Sequence, residues 1–310
     1  MQMPFQLTIL GSSSAMPTSK RYPTAQVLNV LGRFFLIDCG EGTQHQIRKN
    51  KIGFGRLDHI FISHLHGDHF FGLIGFISTQ VLLGRTKDLH IFAHSELQRY
   101  TQFQIDFLAM GELGFRLVFH PLNFKKPQLI LDDAKLSVTS FPLKHRIPCC
   151  GFLFQEKEKE PNIKKEQLKS YQIPIREIKN IKAGADFTTK DGVVIPNKDL
   201  VVPASKPRSF AFCSDTTYHE KIIPIIRDVD LLYHEATFAE SEKAMAKTTF
   251  HATGKEAAIT AKKAGAGKLL IGHFSARYKQ PDTILEEAQR VFPNTIAVSE
   301  GETYSVNRNQ

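Results

Sequence analysis

An α/β architecture is what this sequence predicts, and three features carry it. Short apolar runs rich in β-branched and aromatic residues alternate with helix-like stretches, the alternation spans nearly the whole chain, and several of the apolar runs end on a ligand-type side chain. With 310 residues, 42% of them hydrophobic, the chain can bury a large core, and one domain over 1–310 is expected.

The N-terminus enters a strand at 5–10 without a basic leader or a long apolar stretch, and strands follow at 25–30 and 33–37. A helix is expected over 42–50, then a strand over 57–62 built on Ile60-Phe61-Ile62. Apolar spacing of three and four predicts helices over 70–83 and 95–108, with strands at 89–93 and 115–120. Further strands are expected at 136–141, 151–154, 209–213, 230–233, 268–271 and 295–298, and helices at 218–228, 253–264 and 282–291. Helices of this kind cover the faces of a sheet.

Residues 155–206 break the rhythm. The stretch is charged and proline-punctuated, from Glu156-Lys157-Glu158-Lys159-Glu160-Pro161 through Lys164, Lys165, Lys169, Arg176, Lys179 and Lys182. A solvated surface loop would account for the composition. Its place between two candidate ligands, His145 and Asp215, favours an inserted arm.

The chemistry concentrates in Ser63-His64-Leu65-His66-Gly67-Asp68-His69, directly after an apolar run. Three imidazoles and a carboxylate on a tight glycine-containing turn can converge on metal ions. A structural zinc site would favour thiolates, but Cys39, Cys149, Cys150 and Cys213 contain no Cys-x-x-Cys pair. The four cysteines fit a reducing compartment, and no apolar run reaches membrane-spanning length, so a soluble cytoplasmic protein is expected. The cluster cannot complete two coordination shells alone. His145, Asp215 and His273 each lie just beyond an apolar run and are the further candidates. His234 is expected to support a ligand by hydrogen bonding, whereas His45, His59, His90, His94, His120 and His219 read as structural or surface residues. Lysine and arginine outnumber acidic residues 40 to 31, giving +9, which favours polyanionic partners.

Several longer segments resemble one family. Leu10-Gly11-Ser12-Ser13-Ser14-Ala15-Met16-Pro17-Thr18, Asp38-Cys39-Gly40-Glu41-Gly42-Thr43-Gln44, Cys213-Ser214-Asp215-Thr216, His234-Glu235-Ala236-Thr237, His251 and Gly272-His273-Phe274-Ser275-Ala276-Arg277-Tyr278 occur in the order and spacing of the metallo-β-lactamase superfamily, and within it of the short-form tRNase Z family. The resemblance implies an αββα four-layer sandwich with the metals at one edge. It implies two zinc ions per subunit, one held by His64, His66 and His145, the other by Asp68, His69 and His273, with Asp215 bridging. It further implies a precursor tRNA substrate cut after the discriminator base, a homodimer, and a tRNA-binding arm at about 155–206 that departs from the family's usual glycine-proline segment. Ser214 and Asp215 stand where many zinc β-lactamases carry a thiolate ligand, which argues against lactam chemistry.

Phosphodiester hydrolysis assigns Asp68 to orient the attacking water and take its proton, and His251 to protonate the leaving 3′-oxygen. Two other readings compete. One is a metal-dependent phosphodiesterase of the same fold acting on small substrates; the other is a catalytically idle, metal-stabilised RNA-binding protein, which would need neither Asp68 nor His251.

Overall fold

Apolar runs become strands because β-branched and aromatic side chains suit a pleated surface that is buried on both faces. A computed structural model describes residues 3–108, 111–204 and 206–308, and it divides into two compact units. The larger comprises Met1–Asp132, Ser137–Phe154 and Arg208–Gln310; the smaller comprises Asp133–Leu136 and Gln155–Pro207.

In chain order the elements are β1 (Phe5–Gly11), β2 (Ala25–Val30), β3 (Arg33–Cys39), α1 (Thr43–Lys49), β4 (Leu57–Phe61), α2 (Gly67–Phe70), α3 (Leu73–Leu82), β5 (Leu89–Ala93), α4 (Glu96–Phe107), β6 (Leu117–Pro121), β7 (Gln128–Asp132), β8 (Leu136–Leu143) and β9 (Cys149–Glu156). The smaller unit then adds β10 (Asn162–Ile163), α5 (Lys165–Ser170), α6 (Ile175–Lys182), β11 (Phe187–Thr188), β12 (Val194–Ile195), α7 (Asn197–Leu200) and β13 (Val201–Val202). The chain resumes with β14 (Ser209–Cys213), β15 (Leu231–Glu235), α8 (Lys243–Thr249), α9 (Gly254–Ala264), β16 (Lys268–Gly272), α10 (Asp282–Gln289), β17 (Thr295–Ala297) and β18 (Thr303–Ser305).

Two seven-stranded sheets result, ordered β18-β1-β2-β3-β4-β5-β6 and β17-β16-β15-β14-β9-β8-β7. They meet through aromatic rings: Phe61 meets Phe152 and Phe154 edge-on, each at 5.4 Å between centroids, and Phe35 lies 5.8 Å from Phe154. Burying a ring of this size contributes roughly 1.5–3 kcal/mol. On the outer face of the first sheet, Ile47, Phe70, Phe76 and Ile77 pack against Leu36, Ile60 and Ile91. On the second sheet α9 covers β15 and β16, and α10 covers β17. This is the αββα sandwich. Strands β3 to β6 run parallel, as do β14 to β17, so their carboxyl ends collect at common edges, where ligand sites of parallel sheets form.

The smaller unit has its own core of Ile173, Ile181, Phe187, Ile195, Leu200 and Val201, with Ile163, Leu168 and Tyr171 packed against it.

Two predicted helices are corrected. The helix expected over 218–228 is only a short 3-10 turn at Glu220–Ile222. Pro224 has no N–H to donate and sits among four isoleucines, which a helix accommodates poorly. The helix expected over 70–83 divides at Phe71–Gly72, where the backbone passes so close to the first sheet that a Cβ on Gly72 would lie 2.1 Å from the Gly40 carbonyl oxygen. The strand expected at 115–120 begins later, at Leu117. Strands β7 and β18 and helix α8 were not anticipated; both strands lie at sheet edges, where short exposed segments carry little hydrophobic pattern.

Candidate metal centre

Strand ends deliver the chemistry. Asp38 is the penultimate residue of β3, His64, His66, Asp68 and His69 follow β4, Asp215 follows β14, Glu235 ends β15 and His273 follows β16. Three of these residues hold left-handed backbone: φ is 56° at Asp38, 53° at Asp215 and 59° at His273. A non-glycine residue takes that conformation at a cost of order 1 kcal/mol or more, and such strain collects where side-chain direction matters.

His64, His66, His145 and Asp215 bring one donor atom each within 4.8 Å of one another, and Asp68, His69 and His273 do the same. His66 Nδ1 lies 3.0 Å from His64 Nε2 and 3.1 Å from His145 Nε2. Asp215 stands between the groups: its Oδ2 is 3.6 Å from His64 Nε2 and 3.7 Å from His145 Nε2, and its Oδ1 is 3.2 Å from both His69 Nε2 and His273 Nε2. Asp68 Oδ2 faces His69 Nε2 at 3.4 Å and His273 Nε2 at 3.7 Å, and accepts the Ala15 N–H at 2.8 Å. All seven residues predicted as ligands are thereby brought together.

The donors fit a cation. Among the described residues, nothing hydrogen-bonds the buried Nε2 atoms of His69 and His273, a costly arrangement unless something else engages their lone pairs. Burial lowers the pKa of His64, His66 and His145, keeping these imidazoles neutral and able to donate lone pairs. Asp215 is held well below the carboxylate range despite its burial by His273, His69 and His64. Burial works against a charged His69, yet Asp215, Asp68 and Asp38 together raise it well above the ordinary value. Three carboxylates around one ring mark a place that calls for positive charge.

A second layer fixes ring orientation. His69 Nδ1 meets Asp38 Oδ2 at 2.7 Å, and Asp38 also accepts the Ser63 N–H at 2.7 Å and the Ser63 hydroxyl at 2.9 Å. His145 Nδ1 donates to the Phe250 carbonyl at 3.0 Å, which the left-handed end of α8 presents. His273 Nδ1 lies 3.0 Å from Thr237 Oγ1.

His251 Nδ1 pairs with Glu235 Oε1 at 2.9 Å. Glu235 is fully buried and also accepts from Thr216 N at 2.7 Å, Thr237 Oγ1 at 2.6 Å and Ala252 N at 3.1 Å. Burial opposes a charged His251, but Glu235 and then Asp215 and Asp68 raise it to about 9. His251 also forms a group with Asp215 and His273 within 4.8 Å, beside the two ligand groups.

The support expected of His234 falls to its neighbour. His234 Nδ1 lies 2.7 Å from the Glu235 carbonyl, its ring is buried, and alternation along β15 sends it to the face opposite Glu235. Sequence reasoning missed the roles of Asp38, Glu235 and Thr237, although each stands in a quoted motif. The usable signal was a carboxylate at the last positions of an apolar strand.

Comparison with known proteins places this geometry. Residues 5–103 match the family described as Anti-Pycsar protein Apyc1. Ribonuclease Z of Phocaeicola vulgatus is 50% identical over 296 residues, covering 96% of both chains. Ribonuclease Z of Parabacteroides distasonis is 50% identical over 302 residues, covering 97% of this chain and 99% of its own. The crystal structure of the human short form of tRNase Z superposes with a TM-score of 0.71 at 26% identity, covering 97% of this chain and 99% of that one. The Bacillus subtilis metallo-β-lactamase fold protein YhfI shares the fold, with a TM-score of 0.68 at 18% identity, covering 97% of this chain and 99% of that one.

Proposed function

This chain belongs to the ribonuclease Z family, and from that premise we propose that it is a zinc-dependent endoribonuclease that removes the 3′ trailer of precursor tRNA, leaving a 3′-hydroxyl on the tRNA. The observation that carries the reading is the convergence of seven donors from separate strand ends, with a carboxylate-paired histidine beside them.

His64, His66 and His145 would hold one zinc ion, Asp68, His69 and His273 the other, and Asp215 would serve both. When bound, the pair supplies Lewis-acid charge for the phosphate and lowers the pKa of a water. Asp68 faces His69 and His273, its Oδ2 3.4 Å and 3.7 Å from their Nε2 atoms. With one oxygen fixed by the Ala15 N–H, it orients the attacking water and receives its proton. His251, kept protonated at neutral pH by Glu235, donates to the departing 3′-oxygen of the tRNA. The trailer then leaves with a 5′-phosphate.

The same reading makes the smaller unit at about 155–206 the tRNA-binding arm, supported by the exposed Lys165, Lys169, Arg176 and Lys179 on α5 and α6. It takes the active form as a homodimer, supported by the exposed aromatic face of α4. It places the enzyme in the cytoplasm, supported by four buried, unpaired cysteines. Among the described residues no helix is long and apolar enough to cross a membrane. A small-substrate phosphodiesterase is not favoured, since relatives matched over almost the full length carry the ribonuclease Z name.

The test is a cleavage map on a precursor tRNA with and without a chelator. A single cut after the discriminator base, lost on chelation, restored by zinc and absent in Asp68→Ala, is expected. Full activity after exhaustive metal removal, or single-turnover cleavage retained by Asp68→Ala, would defeat the assignment.

A further inference from the structure

The metal centre opens into a cleft of about 420 Å³, and two of its walls carry side chains that the chemistry above leaves unused, Phe71 and Arg146. Phe71 is 59% exposed, an unusual place for a phenyl ring beside a polar site. Its position is built. The close passage of Gly72 over Gly40 ends α2 at this point, and Gly67 has no side chain to displace the ring: a Cβ there would lie 2.2 Å from Phe71 Cε2. Behind it Phe70 packs edge-on at 5.1 Å, and Phe70 in turn rests on Tyr100 at 5.2 Å. Arg146 follows the ligand His145, is exposed, and among the described residues makes no hydrogen bond or ion pair.

We propose that Phe71 is the stacking platform for the first trailer nucleobase and that Arg146, which follows β8 of the second sheet beside His145 and His251, grips a backbone phosphate on the tRNA side of the cut. An aromatic face in front of a charged cleft binds any base by stacking, while an adjacent guanidinium engages the backbone. The side of the cleft decides which base. His251 and Glu235, which serve the departing 3′-oxygen of the tRNA, come from the second sheet and the segment after it; Phe71 comes from the segment after β4 in the first sheet. The strand that continues past the metals toward Phe71 is therefore the trailer. This inference rests on the RNA-cleaving reading above.

The test uses the zinc-loaded enzyme and three precursor tRNAs: intact, with an abasic ribose at the first trailer position, and with an abasic ribose at the discriminator position. On intact precursor, Phe71→Ala should lower kcat/KM about tenfold, and Phe71→Tyr should restore it. The trailer-abasic precursor should slow the wild-type enzyme to a similar degree, and Phe71→Ala should add nothing further. With the discriminator-abasic precursor the tenfold effect should persist. A tenfold loss that persists on the trailer-abasic RNA, or vanishes only on the discriminator-abasic RNA, overturns the assignment, as does normal cleavage by Phe71→Ala. For Arg146→Ala, the slope of log affinity against log salt should fall by about one, and Arg146→Lys should recover it; an unchanged slope removes Arg146 from the phosphate. Failure of the wild-type enzyme to cut any precursor would instead defeat the broader reading, a result that cannot be confused with cleavage indifferent to Phe71.

Discussion

His251 reaches the metal cleft as the partner of a buried carboxylate, and that pairing fixes when it can act as an acid. Glu235 accepts from Thr216, Thr237 and Ala252, so it cannot turn away from the ring it supports. The raised value of about 9 means that His251 carries its proton below that pH and loses it above, so the acid role proposed for it is open at neutral pH and is lost through the alkaline limb. Glu235→Gln removes the first charge that raises it. The alkaline limb of the pH–rate profile should therefore move to lower pH, and the rate at pH 8 should fall. Zinc content measured on His251→Ala separates its two possible jobs: two ions retained with a chemical step slowed at least about a hundredfold fits an acid, whereas loss of an ion makes it a ligand. The seven converging donors were legible in the sequence because each follows an apolar run that had to become a buried strand. Asp38 and Glu235 carried a signal as carboxylates at the ends of apolar strands, but each finds its partner on a different segment and nothing in linear spacing names that partner. His234 misled for the same reason. A histidine next to a motif glutamate looks useful until strand alternation turns it to the other face.

Elements with a strong hydrophobic pattern and their own caps were read closely, as with α9, whose Thr253 and Glu256 form a reciprocal capping box. What escaped were features imposed by tertiary packing, such as the break between α2 and α3, which depends on how closely Gly72 approaches Gly40. The smaller unit shows the same limit. Its charge and prolines marked an insertion, but a core built from Ile173, Ile181, Phe187, Ile195, Leu200 and Val201 was hidden among the lysines. That core lets the proposed arm role be tested by surface substitution rather than deletion, because Lys165, Lys169, Arg176 and Lys179 are exposed and outside it. Replacing these four by alanine should raise KM for precursor tRNA and reduce the salt slope of binding by roughly one for each phosphate that is no longer neutralised. A lower saturated rate with an unchanged slope would mean that these helices do not hold RNA.

For the assembled molecule, the face of α4 away from the core bears on subunit association. Leu97, Thr101 and Ile105 are buried, while Tyr100, Phe103 and Phe107 recur at spacings of three and four on the open side. Phe103 and Phe107 stack at 6.0 Å and are 61% and 74% exposed, a surface that a two-fold dimer could cover by presenting the same face twice. Phe103→Ser with Phe107→Ser should halve the mass in sedimentation and barely change monomer stability, since neither ring is part of the core. Mixing then tests whether one subunit's arm serves the other's metal centre. On the proposed roles, Asp68→Ala leaves the arm intact beside an inactive site, and the variant with alanine at the four basic positions leaves the site intact beside an arm that holds tRNA weakly. If arm and site cooperate across the dimer, an equal mixture places half the chains in mixed dimers with one complete pair, and about a quarter of wild-type activity should return. Adding the α4 substitutions to both partners should abolish that recovery. A mixture that stays inactive while the wild-type enzyme sediments as a dimer would show that each arm works only for its own subunit.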